Sequence, residues 1–353
     1  MRLLSLGARV DVNHGNSNGA TPINIAAQQG HTEIIKMLLR DPRVDVNQGN
    51  GNGASPFYKA CQEGHLEIVR MMMADHRVSV TQAMNGGFTP LYIASHQNKT
   101  AVVELLLADP RVEVNVTSTL GATPLFVACF QNSLECVDVL LRDPKTNLNL
   151  KNDTGSTPFY VSAQLNHVGI IRQLLRDPRV LVNEANASGA TPLWISVHEG
   201  NLQVAQWILV SSRELDLEAR TNDIGFPWGN MTALDCARWK ERPEFVTLLQ
   251  NFTGDRVAVK RDLRRILGIS REDASRAFAL VIFLCDGLVK IRPLSENTPA
   301  GRFFYILQSL NMDMQMVLCS RAFGLGDNLI KCDHREQAFR ETSVFLLGLL
   351  KSM

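Results

Sequence analysis

The sequence predicts an all-α fold, a solenoid of helix-turn-helix units over residues 1–252 followed by a small helical C-terminal domain over 253–353. Three observations predict it. The phrase LLRDPRVDVN at 38–47 returns as LLADPRVEVN at 106–115, LLRDPKTNLN at 140–149 and LLRDPRVLVN at 174–183, with a looser MMADHRVSVT at 72–81. The chain therefore keeps a 34-residue period, and periods of that size mark stacked repeat proteins. A hydroxyl residue followed by proline recurs in the same register, at Thr21-Pro22, Ser55-Pro56, Thr89-Pro90, Thr123-Pro124, Thr157-Pro158 and Thr191-Pro192. After Phe252 the period stops.

Each element of the unit has a local cause. The hydroxyl accepts a free backbone N–H of the first turn, and proline occupies the first helical position, where no donor is needed. A first helix thus opens six times. It carries a small residue such as Ala26, Ala60, Ala94 or Ala128 and runs to a Gly or Asn about eight residues on. A second helix follows, for example HTEIIKMLLR at 31–40. Both are well below the roughly 12–15 residues that an isolated helix needs in water, so they must stack to survive. Asp41-Pro42 stops the second helix, because proline disfavours helical backbone in the residue before it and cannot continue the ladder. Val44 and Val46 then share one side of an extended segment and bury against the neighbouring unit. On this reading Asp-Pro is a stop signal and not a site.

Residues 19–39 read G-A-T-P-x-x-x-A-x-x-x-G-H-x-E-I-I-x-x-L-L, and this phrase resembles an ankyrin repeat. The resemblance covers about residues 1–252, with six registered units from residue 19. Gly19, Gly53, Gly87, Gly121, Gly155 and Gly189 fall in the family's turn. A degenerate seventh copy at 231–252 has Ala233 where the others have proline and reads as a closing cap. The opening MRLLSLGARVDVN matches only a second helix and exit loop, which implies either a longer chain that has been cut or a degenerate first module. Two departures stand out. The family ends its second helix at a glycine, one residue earlier; here Asp-Pro does so. The family's histidine after T-P-L is replaced by Asn24, Tyr58, Tyr92, Phe126, Tyr160 and Trp194. Those rings form either a core row between units or a ligand-binding strip.

The resemblance implies a concave wall of turn tips and first-helix ends that grips a protein partner. The corresponding positions are Asn85, Phe88, His96 and Gln97 in the third unit, and Thr119, Leu120, Phe130 and Gln131 in the fourth. In the fifth they are Asp153, Thr154, Gln164 and Leu165, and in the sixth His198 and Glu199. Phe88, Leu120, Phe130 and Leu165 are conspicuous, since exposed apolar side chains ringed by polar ones make a binding footprint. Burial of each by a neighbour is the competing reading.

The sequence argues against other classes. With 36 basic and 35 acidic residues, bulk attraction to nucleic acid or anionic lipid is not expected. The basic run at 256–265 lacks interleaved aromatics that would stack bases. Seven cysteines without a C-x-x-C pair fit reduced thiols in the cytoplasm, and Cys61 and Cys129 share a small-residue slot with Ala27, Ser95 and Ala163. The apolar stretch at 277–289 is interrupted by Asp286 and is too short for a membrane span. His31, His65 and His167 share one repeat slot and His96 and His198 another, so register explains them without catalysis. No phosphate loop, nucleophile elbow or zinc spacing occurs. No enzyme, cofactor or metal is expected. An alternative role comes from LNMDMQMVLC at 310–319. It faintly resembles an F-box-like segment, which would make the chain a substrate-recruiting adaptor that binds ubiquitin ligase components.

Overall fold

Seven hydroxyl caps begin seven first helices. In the computed structural model, which describes residues 11–211, 213–222 and 229–269, Thr21, Ser55, Thr89, Thr123, Thr157, Thr191 and Thr232 are extended. Each accepts the N–H of the residue three positions on. Each such cap contributes about 1 kcal/mol. The first six carry proline in the first turn. The seventh replaces it with a capping box, in which the Asp235 side chain accepts the Thr232 N–H.

The helices pair as α1 (Pro22–Gln29) with α2 (Thr32–Arg40), α3 (Pro56–Glu63) with α4 (Leu66–Ala74), and α5 (Pro90–His96) with α6 (Thr100–Leu107). They continue as α7 (Pro124–Phe130) with α8 (Leu134–Arg142), α9 (Pro158–Gln164) with α10 (Val168–Arg176), and α11 (Pro192–Glu199) with α12 (Leu202–Val210). The series closes on α13 (Ala233–Trp239) and α14 (Pro243–Gly254), with α15 (Arg256–Ile266) after it. We call the pairs units one to seven. First helices pack on first helices from α1 through α13, and second helices on second helices from α2 through α12. The result is a two-layer stack with no strand among the described residues.

The core lies between the layers. Ile23, Ile35, Phe57, Ile68, Met72, Leu91, Leu106, Leu125 and Phe159 are fully buried. Ala27, Cys61, Ser95, Cys129 and Ala163 share one slot with no exposed surface, which explains the demand for small residues there. Burial raises both thiols, Cys129 to about 12. The slot after T-P-L is buried at Asn24, Tyr58, Phe126, Tyr160 and Trp194 and half-buried at Tyr92, so the aromatic row is core.

The exit loop carries more than a helix stop. Val44 and Val46 bury as expected, although the loop forms two successive turns and not an extended segment. Asp41, Asp75, Asp109 and Asp177 each pair with the arginine two residues on, at 2.5–2.7 Å. The arginine then donates back to the end of the preceding unit's second helix: Arg77 to the Leu39 carbonyl, Arg111 to that of Met73 and Arg179 to that of Leu141. Those carbonyls have no intrahelical partner, and a cation suits that end of the dipole. The asparagine closing the phrase reaches forward. Asn47 donates to the Arg77 carbonyl and accepts from the Ser79 N–H, at 2.6 and 2.8 Å. Asn13, Asn115, Asn149 and Asn183 do the same toward their own following loops.

The chain divides after Gln250 into two units of structure. The helices expected near 300–310, 312–322 and 335–351, the cap at Ser270 and the segment 310–319 lie outside the described residues, as do residues 1–10.

Candidate protein-binding face

The turns preceding the first helices form one continuous row. The Asn16, Asn50, Asn152 and Asn186 side chains accept from two backbone N–H groups within their own turns. Units three and four hold Met84 and Ser118 in that slot. Neighbouring turns join through backbone bonds: Asn85 N–H to the Asn52 carbonyl, Thr119 to Gly86, Asp153 to Leu120 and Ala187 to Thr154, at 2.8–3.1 Å. Such close approach excludes side chains at the turn glycines. Gly155 has φ +74°, and a Cβ there would lie 2.4 Å from the Ala187 nitrogen. The side chains of Asn85, Thr119, Leu120, Asp153 and Thr154 remain exposed on this row. Leu120 is 64% exposed, an unusual cost for leucine without a cover.

A second row runs along the C-terminal ends of the first helices. In units three, four and five these helices end at Asn98, Asn132 and Asn166 in left-handed backbone, where units one, two and six use glycine and unit seven Glu241. His96, Gln97, Phe130, Gln131, Gln164, Leu165, His198 and Glu199 occupy the row. Phe130 is 48% and Leu165 39% exposed, on helices that pack directly against each other. His96 links two units: its Nε2 lies 2.9 Å from the Gln131 amide and its Nδ1 3.2 Å from that of Gln97. Burial holds its pKa below the ordinary imidazole value, which favours the neutral ring with an unprotonated nitrogen able to accept from an amide N–H. His198 sits 3.1 Å from Glu199 and stacks on Trp194 at 5.1 Å and on Trp239 at 6.2 Å.

Phe88 differs from the other three apolar candidates. It occupies the slot that holds Ala20, Ala54, Ala122, Ser156 and Ala190, immediately before the cap and behind the turn tip. Its ring is half-buried, tilted against Tyr92 at 5.0 Å and laid over Gly86. It fills space that alanine leaves open. Trp239, which the sequence reading passed over, takes the His198 slot in unit seven and is 40% exposed with the Lys240 ammonium 4.7 Å above its ring. The signal was the position of the aromatic at the end of the capping unit's first helix, disguised by that unit's displaced register.

Two of the other repeat-slot histidines have structural partners. His65 Nε2 meets the Gln28 carbonyl at 3.0 Å and His167 Nδ1 that of Cys129 at 2.8 Å, each reaching back to the preceding first helix. Asn201 serves the same end of α9, through the Ala163 and Gln164 carbonyls. No helix among the described residues is long and apolar enough to cross a membrane.

A stack of capped helix pairs, joined turn to turn and loop to loop, defines a helical repeat protein. The profile described as Ankyrin repeats (3 copies) matches residues 1–83, 42–118, 75–152, 91–185 and 144–221 in overlapping register. The chain belongs to the ankyrin repeat family. Among solved structures it is similar to the human ASB11 ankyrin repeat domain, with 25% identity, a TM-score of 0.52 and coverage of 62% of this chain and 91% of that one. It is also similar to EF0377, an ankyrin repeat protein, with 22% identity, a TM-score of 0.49 and coverage of 56% and 97%. Comparison with curated proteins finds no significant match. Ankyrin repeats are in general protein–protein interaction modules.

Proposed function

We propose that this chain is a non-enzymatic scaffold that binds a partner protein on the concave face made by its turn tips and first-helix ends. The observation that carries the reading is the exposure of Leu120, Phe130 and Leu165 on adjacent units four and five. Around them stand Thr119, Gln131, Asp153, Thr154 and Gln164, all exposed and polar. Apolar anchors with a polar rim are where truncation costs interfaces most. Asn85, His96, Gln97, His198 and Glu199 extend the rim, and Phe88 supports it from behind. Large apolar side chains are exposed elsewhere too, Ile34 and Leu134 on second helices and Leu181 in an exit loop. They provide the control. The division near residue 252 separates this binding stack from the C-terminal region, and buried free thiols at Cys61, Cys129, Cys136 and Cys236 support a reducing, cytoplasmic setting.

The test is affinity purification with mass spectrometry on the full chain, comparing wild type with Phe130→Ala/Leu165→Ala and with Leu181→Ala. The double variant is expected to lose the enriched protein while its thermal unfolding stays within a few degrees, and Leu181→Ala is expected to retain it. Retention by the double variant, or loss with Leu181→Ala alone, contradicts the reading.

A further inference from the structure

The asparagine that ends each exit loop is a clamp with two partners, and one copy is missing. Asn13, Asn47, Asn115 and Asn149 each donate to the backbone carbonyl 30 residues on and accept from the N–H 32 residues on. Asn183 makes the same pair of bonds. At residue 81 the slot holds threonine, whose side chain is too short to reach across and carries no amide. The groups that an asparagine would meet, the Arg111 carbonyl and the Glu113 N–H, make no such bonds here. The Arg111 loop is nevertheless held as in the other units: the Arg111 guanidinium binds Asp109 at 2.5 Å and the Met73 carbonyl at 3.0 Å, and the Val112 N–H donates to the Asp109 carbonyl. A cleft of about 290 Å³ lies at this junction. Thr81, Arg111 and Glu113 line it, with Val80, Pro90 and Leu91 among its apolar walls.

We propose that this cleft is a carboxamide-binding notch, in which an asparagine side chain from another polypeptide makes the pair of backbone bonds that this chain's own asparagines make at its other junctions. The donor and acceptor match a primary amide in both positions: the ligand NH2 donates to the Arg111 carbonyl, and the ligand oxygen accepts from the Glu113 N–H. A carboxylate satisfies only the second bond, because it has no donor. Val80, Pro90 and Leu91 supply apolar surface beside the two polar groups. Five filled copies within the same molecule identify the occupant; a general apolar groove would not do so. This notch lies apart from the turn and helix-end rows, so its test is independent of the proposed binding face.

The probe is N-acetyl-asparagine N-methylamide, titrated into the full chain labelled with 15N, with N-acetyl-aspartate N-methylamide as the control. The Glu113 amide resonance is expected to move saturably with the asparagine probe, at a midpoint at least about tenfold lower than with the aspartate probe, one hydrogen bond being worth roughly that factor. Thr81→Asn places the chain's own amide in the notch; it is expected to abolish the shift and to raise the melting temperature. Equal shifts with both probes, or a shift that persists in Thr81→Asn, overturns the proposal. A rise in melting temperature without any probe-induced shift in wild type also overturns it, because the slot would then be structural and closed to ligands.

Discussion

The junction between units two and three and the junction between units three and four are held by opposite halves of the same device. At the first, Arg111 reaches back to the Met73 carbonyl, and Thr81 leaves the forward clamp unmade. At the second, Asn115 makes the forward clamp to the Lys145 carbonyl and the Asn147 N–H, and lysine stands where other loops have the backward-reaching arginine. Between units four and five both halves are present, through Asn149 and Arg179. The comparison teaches that each contact is individually dispensable in a stack whose core and turn ladder continue past it, since each unit binds only its neighbours. It also shows where redundancy has gone: losing the remaining half at a singly clamped junction must cost more than losing either half at a doubly clamped one.

The largest expected effect follows from that asymmetry. Asn115→Ala removes the only loop clamp at its junction and leaves the Asn147 N–H and Lys145 carbonyl without their partner; about 2 kcal/mol is expected, at roughly 1 kcal/mol per lost bond. Asn149→Ala, with Arg179 still in place, is expected to cost about half as much. Urea unfolding of the two variants compares them directly, and equal costs would break the idea of shared load. Lys145→Arg should act in the other direction. It supplies the missing backward reach toward the end of α6, beside Asp143, and is expected to stabilise by about 0.5 kcal/mol, the usual range for an exposed charged pair.

Acid gives the smallest and most general effect. The arginine side-chain bonds hold Asp41, Asp75, Asp109 and Asp177 below the usual carboxylate range, Asp41 at about 2. An unfolded aspartate titrates near 3.9. A folded-state pKa depressed below that value gives stability that is complete above about pH 4 and is lost as pH falls toward 2. The urea midpoint is therefore expected to fall across that window, and to fall less steeply in Asp109→Asn, which has no proton to take up.

Much of this architecture was legible in the sequence because its signals are local. Thr-Pro and Ser-Pro fixed the start of six helices, and Asp-Pro the end of α2, α6, α8 and α10, each through a rule acting within four residues. The small-residue slot at Cys61 and Cys129 was legible because identical environments recur at one period. What lay hidden acts across units. Asn47 and Arg77 looked like loop punctuation, and their bonds to residues 30 to 38 positions away appear only when the units are stacked. The exposed apolar positions were legible in part for the same reason. Leu120, Phe130 and Leu165 stand exposed where the repeat register put them, whereas Phe88 folds its ring over Gly86, an arrangement set by a glycine two residues away and an alanine-sized space. Trp239 escaped notice because the capping unit is displaced by seven residues.

Hydrogen–deuterium exchange of the full chain, alone and saturated with the protein it captures, tests the binding face most directly. The account predicts slowed exchange over residues 119–131 and 153–165, at the turns and first-helix ends of units four and five, with the second helices α8 and α10 unchanged. Slowing confined to α8 and α10, with the Leu120, Phe130 and Leu165 segments unaltered, would contradict it.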